Sequence, residues 1–406
     1  MISLENIYQA AGVLKGVSRV TDLIEVTKLG THDALYLKCE NLQKTGSFKL
    51  RGAYYKISQL SADEAAAGII ACSAGNHAQG VALAAAKRGI DCTIVMPDGA
   101  PISKVEATRS LGAEVVLVPS SYDDAFSYAR ELQAQTGATF IHPFNDYAVM
   151  EGQATIGLEI LNQLEGVDAI VAPIGGGGLI SGVAYAIKKL NPAIKIYGVQ
   201  ASGAASMAES VHEHKICSTS SVTTFADGIA VRTPGDLTFP LVEQYVDEVV
   251  TVSEDEIATA ILGLMEKEKL VAEGAGAASV AAVMFGKVPT AGKKTVCIVS
   301  GGNIDVNILS RVITRGLVTS GRNATLQIAL EDKPGQLVGV STIISQCGGN
   351  VVNVHYSGSD PSMAINSCFL TIGLETRDFD QIREIETALR DAGFHLVEKS
   401  TPNCNP

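Results

Sequence analysis

From residue 69 to 300 the chain alternates between two hydrophobic patterns. Short unbroken apolar runs rich in β-branched residues, at 69–72, 92–96, 115–118, 170–174, 194–199 and 296–299, are separated by stretches with helical spacing. Among these are the Ala-rich 77–88, then 101–111 and the long 149–164. Strands without polar alternation are buried on both faces, and strand–helix–strand order joins neighbours in parallel. The region is therefore predicted to be α/β, a parallel sheet covered by helices on both faces. The composition can fill such a core, with 46% hydrophobic residues, and 40 glycines permit tight turns and close backbone contacts. A length of 406 residues predicts more than one domain.

The pattern changes after a glycine-containing polar stretch ending in GLVTSGRN, at 316–323. Strands are expected at 325–330, 351–356, 364–374 and 394–397, with helices at 337–347 and 379–392. That order, β-α-β-β-α-β, is the ferredoxin-like split unit. The expected division is a first domain over 1–315, a linker over 316–323 and a second domain over 324–406.

Charge and cysteine usage exclude several classes of partner. Lys and Arg total 31 against 43 Asp and Glu, a net charge of −12, which repels nucleic acid and anionic lipid. Cys39, Cys72, Cys92, Cys217, Cys297, Cys347, Cys368 and Cys404 are scattered without a CxxC pair, the pattern of thiols in a reducing cytoplasm. Met1 leads into a polar stretch, so a signal peptide is not expected, and no apolar run reaches the ~18 residues of a membrane span. His212-Glu213-His214 stands alone in a polar segment and is expected to be solvated surface; no metal is expected.

Three glycine-rich or polar loops each follow an apolar run: Ser73-Ala74-Gly75-Asn76-His77, Gly175-Gly176-Gly177-Gly178-Leu179 and Ser300-Gly301-Gly302-Asn303. Ligands of open α/β sheets bind beyond the carboxyl ends of the strands, where these loops would gather. The four glycines open a helix and expose backbone N–H groups to an anion, which makes a phosphate cradle; a tight strand–helix turn is the other reading. The loop has neither the Lys-Ser/Thr of a Walker loop nor dinucleotide-fingerprint spacing. Lys49, in Ser47-Phe48-Lys49-Leu50-Arg51-Gly52, has an apolar neighbour on each side. Spacing alone leaves it either a surface charge or a nucleophile activated by an apolar pocket.

Taken together, KTGSFKLRGA, SAGNHAQG, GGGGL and SGGN resemble, in order and approximate spacing, the threonine dehydratase family of fold-type-II pyridoxal-phosphate enzymes, over about residues 5–315. The resemblance implies two open twisted α/β subdomains and β-elimination of water from L-threonine. It implies that Lys49, beside Phe48, forms a Schiff base with pyridoxal 5'-phosphate and acts as the base. It further implies that Gly175, Gly176, Gly177, Gly178 and Leu179 hold the phosphate, that Asn76 meets the ring hydroxyl and that Ser300 faces the ring nitrogen. The substrate carboxylate would lie against Ser73, Ala74, Gly75, Asn76 and His77. Thr21-Asp22-Leu23 departs from the family's Thr-Pro-Leu, and Asp227-Gly228 matches a family segment for which a structural role is expected.

Residues 324–400 resemble an ACT domain through Asp332-Lys333-Pro334-Gly335-Gln336-Leu337. Such domains pair across protomers and bind a small amino acid at the seam. The resemblance places an effector against Asp332, Pro334, Gly335 and Leu337, with Asn350 and Val351 opposite, in a homo-oligomer expected to be a tetramer. The closest rival is a serine racemase or serine dehydratase of the same fold. The racemase family, however, has a serine where this chain has Ala74, and cation-binding carboxylates where it has Gln200 and Ser206. A non-catalytic amino-acid sensor is the other alternative, and the presence of Lys49 argues against it.

Overall fold

The computed structural model describes residues 1–29, 34–119, 121–358 and 366–397. Its packing separates two units, Met1–Ile308 and Leu309–Pro406.

In the first unit the strands, in chain order, are β1 (Leu23–Val26), β2 (Leu35–Lys38), β3 (Ile69–Cys72), β4 (Cys92–Pro97), β5 (Glu114–Val118), β6 (Thr139–Phe140), β7 (Ala169–Pro173), β8 (Lys195–Ala201), β9 (Glu248–Val252) and β10 (Thr295–Ile298). The six apolar runs of the sequence are all strands, and they divide three and three between two sheets. One sheet, β5-β4-β3-β6, is wholly parallel. The other, β1-β2-β10-β7-β8-β9, is parallel except for the antiparallel edge strand β1. Strands β1, β2, β6 and β9 were not read from the sequence: Glu25 interrupts β1, Glu248 and Thr251 interrupt β9, β6 has two residues, and β2, though mostly buried, ends in Lys38. Val296 of β10 lies beside Ile170 of β7, which sets the loops after these two strands next to each other.

Helix Lys49–Ser58 is held between two neighbours by glycines. A Cβ on Gly152, in helix Tyr147–Gln163, would lie 2.6 Å from the carbonyl oxygen of Arg51 and from Cα of Gly52. One on Gly80, in helix Asn76–Arg88, would lie 3.0 Å from the carbonyl carbon of Lys49 and from the nitrogen of Leu50.

A buried charge network secures the same helix. Arg51 donates to both oxygens of Glu40, each at 2.8 Å, and to both oxygens of Glu159, at 2.6 and 2.9 Å. Lys38 donates to Glu159, to Gln163 and to the carbonyl of Thr21, whose hydroxyl donates to Glu40. Burial opposes the Glu40 charge, but the facing Arg51 guanidinium outweighs it and holds the carboxyl below its usual range. Thr21, in the segment that departs from the family pattern, is thus part of this network.

In the second unit, β11 (Asn323–Glu331), β12 (Asn350–Ser357), β13 (Ser367–Glu375) and β14 (His395–Leu396) form an antiparallel sheet in the order β12-β13-β11-β14, with helices Gln336–Gln346 and Phe379–Asp391. This is the ferredoxin-like order. Leu326, Ile328, Leu330, Ile344, Leu370, Ile372, Ile385 and Leu389 build its core. The expected linker is different in the structure: helix Val306–Thr319 runs through its first half. Gly316 continues that helix because the stop lies further on. Gly321 takes φ +70° while Arg322 N–H closes back on the Leu317 carbonyl, a left-handed C-terminal cap. Residues 398–406, with Cys404, lie outside the described residues, as does the start of the strand expected at 364.

Among the described residues no helix is long and apolar enough to cross a membrane. Cys39, Cys72, Cys92, Cys217, Cys297, Cys347 and Cys368 are all thiols.

The glycine crossing gives a test. Gly152→Ala places a methyl group against the Arg51–Gly52 backbone, where neither side can yield. It should cost about 1–3 kcal/mol and lower the melting temperature, read by calorimetry, whereas Gly12→Ala, inside helix Leu4–Val13 with open space around it, should not destabilise.

Candidate active site

The three loops picked out in the sequence converge, and two further segments join them. Lys49 begins its helix beside loop 300–303, since Phe48 N–H donates to the carbonyl of buried Ser300. The lysine amine donates to the carbonyl of Pro143 at 2.9 Å, in the segment His142-Pro143-Phe144-Asn145-Asp146 after β6. Burial disfavours its ammonium form, and although Glu273 opposes the shift the pKa falls from its usual 10.5 to about 8. Lys49 is therefore not the solvated surface charge that spacing had left open.

The glycine loop follows β7 and opens helix Gly178–Leu190, with Gly177 at φ +99° as its cap. Its outer side is closed. A Cβ on Gly176 would enter the Phe144 ring, one on Gly177 would lie 2.8 Å from Thr238, and one on Gly178 2.8 Å from Phe144. The Gly176 carbonyl accepts from Thr238 Oγ1 at 2.5 Å, so the N–H of the same planar peptide, on Gly177, points the opposite way. Inward N–H groups at a helix start provide an anion cradle.

Loop 73–77 caps helix Asn76–Arg88 after β3. Ser73 Oγ accepts from Gly75 N–H, and Ser73, Ala74, Gly75 and Asn76 are each half-buried. His77 turns away from the loop, its Nε2 bonded to the Ile141 carbonyl at 2.8 Å; burial, then the nearby Lys49, push its pKa down to about 3. His77 thus contributes no charged side chain. His142 is also neutral, its pKa lowered to about 4 chiefly by burial, with Nδ1 accepting from the N–H groups of Phe144 and Asn145.

The sequence reading missed three contributors, Pro143, Phe144 and Glu273, and gave no role to Asn303 at the end of a loop it had singled out. Asn76 Nδ2 donates to Glu273 Oε1 at 2.6 Å, and Asn76 Oδ1 accepts from Asn303 Nδ2 at 2.8 Å, tying loop 73–77 to loop 300–303. The only sequence signals for these residues are a lone acid in VAEGAG and the last residue of SGGN. Asp227, assigned a structural role, pairs with Lys104 at 2.5 Å, beside Gly228, which packs against Glu273.

Residues 14–301 match the family model described as pyridoxal-phosphate dependent enzyme. The chain belongs to the pyridoxal-phosphate-dependent enzyme family. A curated relative, an L-threonine ammonia-lyase from Thermotoga maritima, is 50% identical over 398 residues, covering 98% of this chain and 99% of the relative. Among solved structures, threonine deaminase isoform 2 from Solanum lycopersicum, in its processed form, matches with TM-score 0.72 and 39% identity, over 77% of this chain and 94% of that one. Maize serine racemase matches with TM-score 0.73 and 37% identity, over 78% and 98%. The residues present fit the family cofactor: an easily deprotonated lysine, glycines at a helix start, a buried serine and an amide lie on segments that contact one another.

In the second unit Gly335 caps helix Gln336–Gln346 at φ +92°, and Asp332 accepts from Tyr356 Oη at 3.3 Å. Asn350 bonds to Glu375, at the far end of β12 from Tyr356. Within one chain the two halves of the expected effector site, 332–337 and 350–351, therefore lie at opposite ends of the sheet.

The lowered Lys49 pKa predicts how the apoenzyme takes up its cofactor. Only the free amine attacks an aldehyde, so stopped-flow capture of pyridoxal phosphate should accelerate with pH and reach half its plateau near pH 8. A midpoint near that of a solvated lysine would contradict the burial described.

Proposed function

We propose that this chain deaminates L-threonine by eliminating water, giving 2-oxobutanoate and ammonia, and converts L-serine to pyruvate in the same way. The observation that carries this reading is the Lys49 amine, held on the Pro143 carbonyl with its pKa lowered to about 8, where the loops meet. The identities to threonine ammonia-lyase and threonine deaminase support it.

Bound pyridoxal phosphate supplies an electron sink for charge developing at the substrate Cα. In this reading Lys49 holds the cofactor and its freed amine removes the Cα proton as general base. The N–H groups of 175–179 hold the phosphate, and Phe48 packs beside the lysine. Asn76 donates to the ring oxygen. Ser300, buried and uncharged, faces the ring nitrogen without stabilising a full positive charge there, which favours departure of the β-hydroxyl over transamination. The substrate carboxylate is received by the N–H groups of 73–77 and by Ser73. One methyl group separates threonine from serine, worth about 1–3 kcal/mol, so both are expected to react.

Racemisation needs a second proton-carrying side chain on the opposite face of Cα. Ala74 offers a methyl group, and the residues that replace the racemase cation ligands are otherwise engaged. Gln200 Oε1 accepts from Ala208 N–H and Ser206 Oγ donates to the Val231 carbonyl. Lys49→Ala should reduce keto-acid formation from threonine to background while the circular dichroism spectrum is kept. Chiral chromatography of the wild-type reaction with L-serine should find pyruvate with negligible D-serine; comparable amounts would favour the racemase reading.

The second unit is proposed as an ACT regulatory domain. Its β12 is an edge strand with exposed Val352, Val354 and Tyr356, a surface suited to pairing with a second copy. Such pairing can bring Asp332, Pro334, Gly335 and Leu337 of one protomer to Asn350 and Val351 of another. A tetramer, a cytoplasmic setting consistent with buried thiols, and a branched-chain amino acid such as isoleucine or valine as effector complete the proposal; 2-oxobutanoate is a precursor of isoleucine. Gly335 leaves open space around its Cα, but φ +92° strains any side chain. Gly335→Asp should keep basal threonine turnover and lose the response to isoleucine or valine. A response equal to the wild type would place the effector elsewhere.

A further inference from the structure

The hydrogen bonds around Asn76 form a chain whose direction is fixed at one end by a backbone group. Asn303 Nδ2 donates to the carbonyl of Thr45 at 2.7 Å, and a carbonyl can only accept. Asn303 must therefore present nitrogen there, and its second N–H goes to Asn76 Oδ1 at 2.8 Å. That turns Asn76 Nδ2 towards Glu273 Oε1, 2.6 Å away. Of the Asn76 amide, the nitrogen end with one remaining N–H is what is left beside Glu273 for a ligand.

Glu273 is placed for this contact at the expense of its local role. It stands at the N-cap of helix Gly274–Met284 yet its side chain caps nothing, and its own N–H is tied to the Gly301 carbonyl at 3.1 Å. Its carboxylate fills space that only glycines leave. A Cβ on Gly301 would collide with Oε1, and one on Gly228 would come within 3.2 Å of it. The residue is 3% exposed.

We infer that Glu273 and Asn303 are positioning residues: together they lock Asn76 as a hydrogen-bond donor to the cofactor, and Glu273 supplies the negative charge that Lys49 feels. The inference rests on the reading of Asn76 as the cofactor-facing amide. A locked donor stabilises an oxygen anion on the cofactor ring and cannot take a proton from it. Three charged groups bear on Glu273, namely Asp227, Lys104 and Lys49, and Asn76 adds its hydrogen bond. Burial, then Asp227, raise the Glu273 pKa to about 7, so its charge is full only above neutrality.

Glu273→Gln tests this, because a glutamine carbonyl can still accept from Asn76 while the charge is gone. Without it the Lys49 ammonium loses the carboxylate that opposes its desolvation, so its pKa should fall further. The pH midpoint for cofactor capture by the apoenzyme should move down by about one unit. A folded Glu273→Gln protein with an unchanged capture midpoint would overturn the charge assignment. Asn303→Asp tests the lock, since a carboxylate cannot donate to Thr45 or to Asn76. The Kd for pyridoxal phosphate, followed by fluorescence, should rise about tenfold; a folded Asn303→Asp protein with wild-type affinity would overturn the relay. Should Glu273→Gln fail to fold, the affinity of Asn303→Asp decides by itself. These readouts concern cofactor binding, so failure of threonine turnover in the wild type would count against the proposed reaction and not against this relay.

Discussion

The Arg51 guanidinium is the contact on which the catalytic unit depends. It sits two residues beyond Lys49 and is enclosed by two carboxylates from different elements, Glu40 and Glu159. An arginine so deeply buried is tolerable only when its donors are matched, and here its planar fork meets both oxygens of each acid. The requirement acts in both directions. The helix that begins at Lys49 must stay in register with helix Tyr147–Gln163, and the glycines at 52 and 152 let the two backbones approach closely enough. The lysine amine thus reaches the Pro143 carbonyl from a rigid base, as a group that must act repeatedly on the same atom requires.

Around that amine the protein has removed most competing charge. His77 and His142 are neutral through burial, Ser300 is uncharged, and Ala74 contributes only a methyl group. Glu273 is the exception, and its carboxylate occupies a space defined by Gly228 and Gly301. Lys49 therefore lies between two opposing influences, lost hydration and one nearby acid, and its pKa of about 8 is their balance. In the proposed reaction, an amine that titrates close to neutrality is well matched to removing a weakly acidic carbon-bound proton at ordinary pH.

The second unit follows a different logic. Its sheet is antiparallel, with one face closed by two helices and an edge strand that exposes Val352, Val354 and Tyr356. The strand register separates the glycine-capped turn at 332–337 from residues 350–351 along the length of β12. A ligand contacting both needs a second copy of the chain, which makes assembly a condition of any response there rather than an addition to it.

Much of this was written locally. Continuous apolar runs marked six of the strands, helical spacing marked the helices between them, and in the last third β11, β13 and the two helices were legible because each buries one clear face. The loops at 73–77, 175–179 and 300–303, with Lys49, announced themselves through glycine and polar residues at strand ends. Local pattern did not reveal the split into two sheets, since burial on both faces looks alike in either. Nor did it show where the helix at 306–319 ends, which Gly321 decides by taking a positive φ. Glu273 and Pro143 carry no local signal, and Asn303 stood in a marked loop without a role: an acid, a carbonyl and an amide acquire meaning only from what lies across from them. Residue 273 meets residue 76, and residue 303 meets residue 45, across separations that only the folded chain closes. Sequence therefore determined the elements and the kinds of chemistry available, because strand burial and backbone geometry are local demands. Tertiary structure decided the charge state of Lys49 and the direction of the Asn76 amide, because desolvation and hydrogen-bond polarity depend on every group that surrounds an atom.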